Sequence, residues 1–149
     1  MIKEKYLGTY MKTAKLFAEH SSAVRKKVGA VIVKDDRIIS IGYNGMPSGW
    51  TNECEMVKHT DFTGTVVTMS KPEVLHAETN AIAKVAKSTN STEGATMFIT
   101  HAPCLDCAKL AYQSGINSVY YRNSYRNDDG IDFLKKCEIE VCQVKPCNS

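Results

Sequence analysis

The sequence lacks any apolar run of membrane-spanning length, so a membrane-embedded helical protein is not its reading. It also lacks a secretory signal: "MIKEKYLGTYMKTAKLF" carries charges throughout and has no apolar centre. No charge of one sign dominates. Nineteen Lys and Arg oppose sixteen Asp and Glu, for a formal net charge of +3. That balance tolerates a small anionic ligand but is too weak to argue for nucleic acid. No repeat, low-complexity tract or linker breaks the 149 residues, so one domain over 1–149 is expected. With no membrane partner and no export signal, the expected location is cytoplasmic. The cysteines then need another use than a disulfide framework. Cys54, Cys137, Cys142 and Cys147 are scattered, and only Cys104 and Cys107 form a C-x-x-C pair. In such a protein reduced thiols or metal ligands are the expectation.

What is present reads as alternating elements. Leu7, Tyr10, Met11, Ala14, Phe17 and Ala18 recur at helical spacing, which predicts a first helix over Lys5 to His20. "VGAVIVKDDRIISIGYN" reads as a β-hairpin around "KDD", ending near Tyr43. From Met46 to Leu75 periodicity is lost, apart from a short strand at "TVVTM". A connection that long is usually functional or mobile. "LHAETNAIAKVA" opens a helix that ends near Ser88. A strand at "ATMFIT", a helix at "CLDCAKLAYQSG" with Gly115 at its end, and a strand at "SVYYR" follow. "DGIDFLKKC" is a helix and "EIEVCQV" a last strand. A hairpin followed by strand–helix–strand units predicts an α/β fold: one mixed sheet with helices on both faces.

Two helix starts carry chemistry. His76 and Glu78 stand where an apolar helical face begins, and a cap would explain Glu78 but not His76. Cys104 and Cys107 stand at another helix start, after Pro103, whose fixed backbone suits the first turn. There they share one face of one turn, at the positive end of the helix dipole, which favours thiolates. Two thiolates and an imidazole make three zinc ligands. Three ligands leave a fourth position open, the mark of a catalytic rather than a structural zinc. Glu78 is then free to move protons on the water that zinc activates. Residues two apart on a regular helix face roughly opposite ways, so His76 is expected at the very first turn. H-x-E followed one strand later by P-C-x-x-C is the signature of zinc deaminases acting on cytosine or adenine.

With these motifs the chain resembles the cytidine deaminase superfamily, and within it the deoxycytidylate (dCMP) deaminase branch. The resemblance runs from about Val28 to Val144. It is carried by "KVGAVIV", "GYNGMPSG", "LHAETNAI", "EGATMFIT", "PCLDCAKL" and "QSGI", with "GYNGMPSG", "NEC" and "HAETNAI" favouring the dCMP branch. It implies a three-layer α-β-α cytidine-deaminase-like fold with one mixed five-stranded sheet. It implies hydrolytic deamination of dCMP to dUMP with release of ammonia, feeding thymidylate synthesis. Zn2+, one per chain on His76, Cys104 and Cys107, is the implied cofactor, with Glu78 as proton shuttle. Asn44 is expected to bond the sugar hydroxyl, Val28 to pack on the base and the Ala77 backbone to bond the base edge. His101 and Ala102 are expected to line the pocket. For the phosphate, Arg25, Lys26, Lys27, Tyr125 and Arg126 are at hand, and Lys26 and Tyr125 are the expected contacts.

The resemblance also implies a homohexamer, activated by dCTP and inhibited by dTTP, with Mg2+ on the regulatory triphosphate. Gly45, Asn52 and Glu55 match the regulator-binding region. Some phage-type members hold a second, structural zinc. Cys54 matches one of its ligands, but "TVVTMSKPEV" lacks the histidines that would complete it. Other readings compete. One is a different superfamily enzyme acting on a free nucleoside, a base or transfer RNA; the last would need a more basic face than +3. Another is a non-catalytic zinc module. A third is a thiol oxidoreductase using Cys104 and Cys107, which leaves His76 and Glu78 without a role.

Overall fold

The structure is a computed structural model and describes residues 2–146; Cys147 lies outside the described residues. Its main sheet has five strands in the order β2-β1-β5-β6-β7. Strands β1 (Gly29–Lys34) and β2 (Arg37–Tyr43) form the expected antiparallel hairpin. Asp35 and Asp36 turn it with φ of 51° and 59°, the paired positive φ of a tight two-residue hairpin turn. Strand β5 (Thr96–His101) pairs antiparallel with β1, and β6 (Ser118–Asn123) and β7 (Glu140–Gln143) follow in parallel. The parallel steps are made by helices α3 (Leu105–Gln113) and α4 (Asp129–Lys136).

The burial pattern explains the layers. The first five residues of β1 are all buried, because helices cover both of its faces. Val31 and Val33 point at helix α1 (Glu4–Ala18), joining Met11, Ala14, Phe98 and Tyr120. Ala30 and Ile32 point the other way, joining Ala77, Ala81, Val85, Ala108 and Leu134 from α2 (Ala77–Ala86), α3 and α4. The result is the three-layer α-β-α arrangement the sequence predicts. The first helix starts one residue earlier and ends two earlier than expected, and α2 ends at Ala86 rather than Ser88. Gly115 does follow α3, at φ 87°, a conformation that glycine adopts without strain.

The long stretch between the hairpin and α2 is not an irregular connection. It holds a second hairpin, β3 (Glu55–Thr60) with β4 (Val66–Ser70), a two-stranded ribbon outside the main sheet. The expected strand at "TVVTM" is β4, and β3 is an addition. Nearly every residue of β3 is exposed, so no buried face imposes a period-two pattern on its sequence.

Helix α2 lies directly on β2. Ser40 Oγ donates to the Ala81 carbonyl at 2.7 Å, Asn80 Nδ2 to the Tyr43 carbonyl at 2.9 Å and Lys84 Nζ to the Ile41 carbonyl at 3.0 Å. The approach is close because position 42 is glycine: a Cβ there would run into the Ala77 carbonyl and stand 2.7 Å from the Ala81 nitrogen. Gly42→Ala is therefore expected to lower stability by about 3 kcal/mol, the upper range for overpacking, since backbone cannot swing aside. For a domain of this size that is a fall in Tm of about 6–12 °C. A thermal melt shifted by less than about 2 °C would mean that α2 is free to slide on the sheet.

Candidate active site

One edge of the sheet collects the ends of several elements. Because β1 runs antiparallel to β2 and β5, its start lies beside their ends. Val28, Asn44 and His101 therefore meet there. The end of β6 joins them: Ala102 N–H donates to the Asn123 carbonyl at 2.8 Å and Asn123 Nδ2 to the Thr100 carbonyl at 2.9 Å. Crevices outside the carboxyl ends of parallel strands are where open α/β sheets bind ligands. A cavity of about 350 Å³ opens here.

Both helix starts face it. His76 is the residue before α2, in extended backbone with φ −77° and ψ 154°, and Cys104 is the residue before α3 at φ −69° and ψ 167°. The expectation of His76 inside the first turn is thus corrected by one residue. That residue removes the geometric difficulty, since an extended His76 is not bound by helical phase to point away from Glu78. Pro103 is likewise not in the first turn of α3; it stands two residues ahead of Leu105. The Cys104 segment is pinned by α4, whose Gly130 leaves no room for a Cβ against the Pro103 carbonyl and would set one 2.9 Å from the Cys104 carbonyl.

His76, Cys104 and Cys107 converge. His76 Nδ1 stands 3.2 Å from Cys107 Sγ and 3.6 Å from Cys104 Sγ, and all three ligand atoms lie within 4.8 Å of one another. Nitrogen and sulfur bound to one tetrahedral zinc, at about 2.0 and 2.3 Å, stand about 3.5 Å apart. The residues present fit that ion. Electrostatics agree. Hydrogen bonds, first with Cys107 and then with His76, pull the Cys104 thiol down to about 4. Cys107 is pushed up, first by its bond to Cys104 and then by burial, so the two thiols do not both ionise unaided as the helix dipole alone suggests. His76 is raised, its bond to Cys104 outweighing burial. A dication would displace the protons that these groups hold between them.

Glu78 is buried at 4% exposure inside the first turn of α2. Burial raises its carboxyl, partly offset by its own backbone, Cys107 and His76. His101 is lowered by burial and then by Lys26. Its Nδ1 is 2.9 Å from Thr100 Oγ1, which also accepts the Gly29 N–H at 3.1 Å.

The cavity lining includes every residue the sequence suggested for substrate: Lys26, Val28, Asn44, Ala77, His101, Ala102 and Tyr125. Arg25 and Arg126 join them. Asn44 is already engaged: its Oδ1 accepts the Val28 N–H at 2.9 Å and its Nδ2 donates to the Lys26 carbonyl at 2.8 Å. One amide hydrogen and one lone pair remain for a ligand. Sequence reasoning missed a wall made by Ser70, the last residue of β4, and by Lys71, Pro72 and Val74 after it. No periodic signal marks it. Gly45, Asn52 and Glu55 do not line this cavity. Gly45 bridges Leu75, the residue before His76, and Glu55 binds the backbone at residues 24 and 25.

Residues 4–123 match the family described as the cytidine and deoxycytidylate deaminase zinc-binding region. The chain belongs to this family. Deoxycytidylate deaminase of Enterobacteria phage T4 is 35% identical over 95% of this chain and 91% of its own. The human deoxycytidylate deaminase is 35% identical over 80% of this chain and 65% of its own. Among solved structures, dCMP deaminase from the cyanophage S-TIM5, in complex with dCMP and dUMP, superposes with a TM-score of 0.86. It is 46% identical and covers 97% of this chain and 100% of that one. Family membership and the convergence of His76, Cys104 and Cys107 make zinc the metal of this site. Among the described residues no helix is long and apolar enough to cross a membrane.

Proposed function

We propose that the protein hydrolyses dCMP to dUMP and ammonia. The observation that carries this is a buried Glu78 beside the His76, Cys104 and Cys107 cluster, in a cavity whose rim bears Arg25, Lys26, Lys71 and Arg126. A bound zinc supplies the Lewis acidity that makes water a nucleophile at neutral pH. His76, Cys104 and Cys107 would hold it. Val28 and Ala77 flank the base, the Ala77 backbone meeting its polar edge, and Asn44 meets the sugar. Glu78 takes the proton that the attacking water loses and gives it to the ring nitrogen. It then protonates the departing amine, so one carboxyl carries each proton from water to leaving group. Burial raises its carboxyl, which favours the protonated form that a proton donor needs. The test is incubation of the purified zinc protein with dCMP, following dUMP and ammonia. Release of neither ends this reading.

The same reading extends to control. dCTP, carried with Mg2+, activates and dTTP inhibits, at a site near Gly45, Asn52 and Glu55 in a cytoplasmic homohexamer whose product feeds thymidylate synthesis. Two features support it. Gly45 adjoins Asn44 and pairs with Leu75, so a ligand that fixes this loop also fixes a substrate contact and the residue beside His76. The ribbon and its approach leave Trp50, Val57, Phe62 and Val66 more than half exposed, apolar side chains that another subunit could cover. The expected result is sigmoidal saturation without dCTP and near-hyperbolic saturation with it, dTTP acting oppositely. The coupling should be about 5–150-fold in apparent affinity. Hyperbolic curves that neither triphosphate moves, with magnesium present, would remove the regulation and leave the catalysis.

A further inference from the structure

Residues 19–28 join α1 to β1 without regular structure, yet they deliver Arg25 and Lys26 to the cavity. Two side chains hold this segment. Asn44 grips its inner end through Val28 and Lys26. Glu55, the first residue of β3, grips the bend above: its Oε1 accepts the Val24 N–H at 2.8 Å and the Arg25 N–H at 3.1 Å. Successive backbone N–H groups turned to one point form a concavity for an anion, and here a carboxylate of the chain fills it. The ribbon's other strand ends beside Glu55, with Ser70 as its pairing partner, and the next residue, Lys71, donates its N–H to the Cys54 carbonyl at 2.7 Å and joins the lining. The base of the ribbon therefore sits at the cationic rim.

We propose that Glu55 is a positioning residue that fixes the bend at Val24 and Arg25 so that Arg25 and Lys26 are set for the substrate's phosphate. The inference rests on the dCMP reading above. It gives β3 a part in substrate recognition although no β3 residue lines the cavity. It also separates binding from chemistry, because Glu55 lies outside the cavity that holds His76, Glu78 and Cys104. Charge-assisted bonds to backbone N–H are among the stronger hydrogen bonds, and two share this carboxylate.

The test is a series, Glu55→Ala, Glu55→Asp and Glu55→Gln, in the full chain loaded with zinc, assayed on dCMP and on deoxycytidine with no nucleoside triphosphate present, so that regulation near Glu55 does not enter. Glu55→Ala should raise KM for dCMP about tenfold, the loss of one ordered phosphate contact, with kcat within about twofold. On deoxycytidine its kcat/KM should stay within about twofold of wild type. Hydrogen exchange at the Val24 and Arg25 amides should quicken. Glu55→Gln keeps an oxygen acceptor and should restore both KM and protection, with Glu55→Asp between. If Glu55→Ala does not fold, Glu55→Asp carries the test. An unchanged KM for dCMP, or an equal loss on deoxycytidine, overturns the inference and leaves the dCMP reading standing. A wild-type enzyme that does not prefer dCMP to deoxycytidine overturns both.

Discussion

Glu78→Gln should retain a full zinc complement and lose nearly all turnover on dCMP. Glutamine keeps the size and shape of the side chain, so the packing around the first turn of α2 survives. It keeps His76, Cys104 and Cys107, and so the metal. It loses the carboxyl beside the metal ligands that can accept a proton from water and donate it again. A general acid–base group is worth about 10² to 10⁴ in rate, and in the proposed reaction Glu78 serves the ring nitrogen and the amine in turn. The expected loss is therefore at or beyond about 10⁴. Burial adds a second reason. A carboxyl at 4% exposure sees little bulk water, so solvent is a poor substitute for its proton transfer. Cys104→Ala gives the opposite signature: metal content falls, because two ligands do not hold zinc as three do. Metal analysis beside single-turnover kinetics separates the two. A Glu78→Gln enzyme with more than a tenth of the wild-type rate would show that the proton travels another way.

How much of this was legible in the sequence varies with burial. The strand run "GAVIV" is apolar because helices cover both faces, and a helical stripe such as Met11, Ala14 and Ala18 is apolar because one face is covered. Every element of the main sheet leaves such a trace. Strand β3 leaves none, because "EMVKHT" has no covered face to impose alternation. The reacting quartet was legible for a different reason: metal ligation demands residue types as well as places. What the motif could not give is that His76 and Cys104 both stand just outside their helices, in extended backbone. That geometry lets a histidine two residues from Glu78 turn to thiols on another helix. The wall of Ser70, Lys71, Pro72 and Val74 was illegible, since its place depends on where the unforeseen ribbon ends.

Removing the phosphate from the substrate should cost about 10² or more in kcat/KM, with dCMP far ahead of deoxycytidine. The argument starts from charge. Arg25, Lys26, Lys71 and Arg126 line one cavity, and among the described residues the only acid in the lining is the buried Glu78. Lys71 has a distant partner in Glu53 at 3.8 Å. Among the described residues Lys26 and Arg126 have no carboxylate partner within ion-pair distance. Instead both stand over Tyr125, with Lys26 Nζ 5.2 Å and Arg126 Cζ 5.5 Å from the ring centroid. Two cations held against one ring repel each other, and an anion between them relieves that repulsion. A nucleoside brings none, whereas a monophosphate brings nearly two negative charges and three acceptor oxygens. Each charge-assisted bond is worth about 1.5–3 kcal/mol, but Lys26 and Arg126 are exposed and water screens them. Two bonds at the low end give about 3 kcal/mol, which sets the expectation near 10² rather than 10⁴. Arg126→Ala should then lose about tenfold on dCMP and almost nothing on deoxycytidine, and the preference for dCMP should shrink as salt rises. Equal efficiency on the two substrates would mean that the cationic rim serves some other anion.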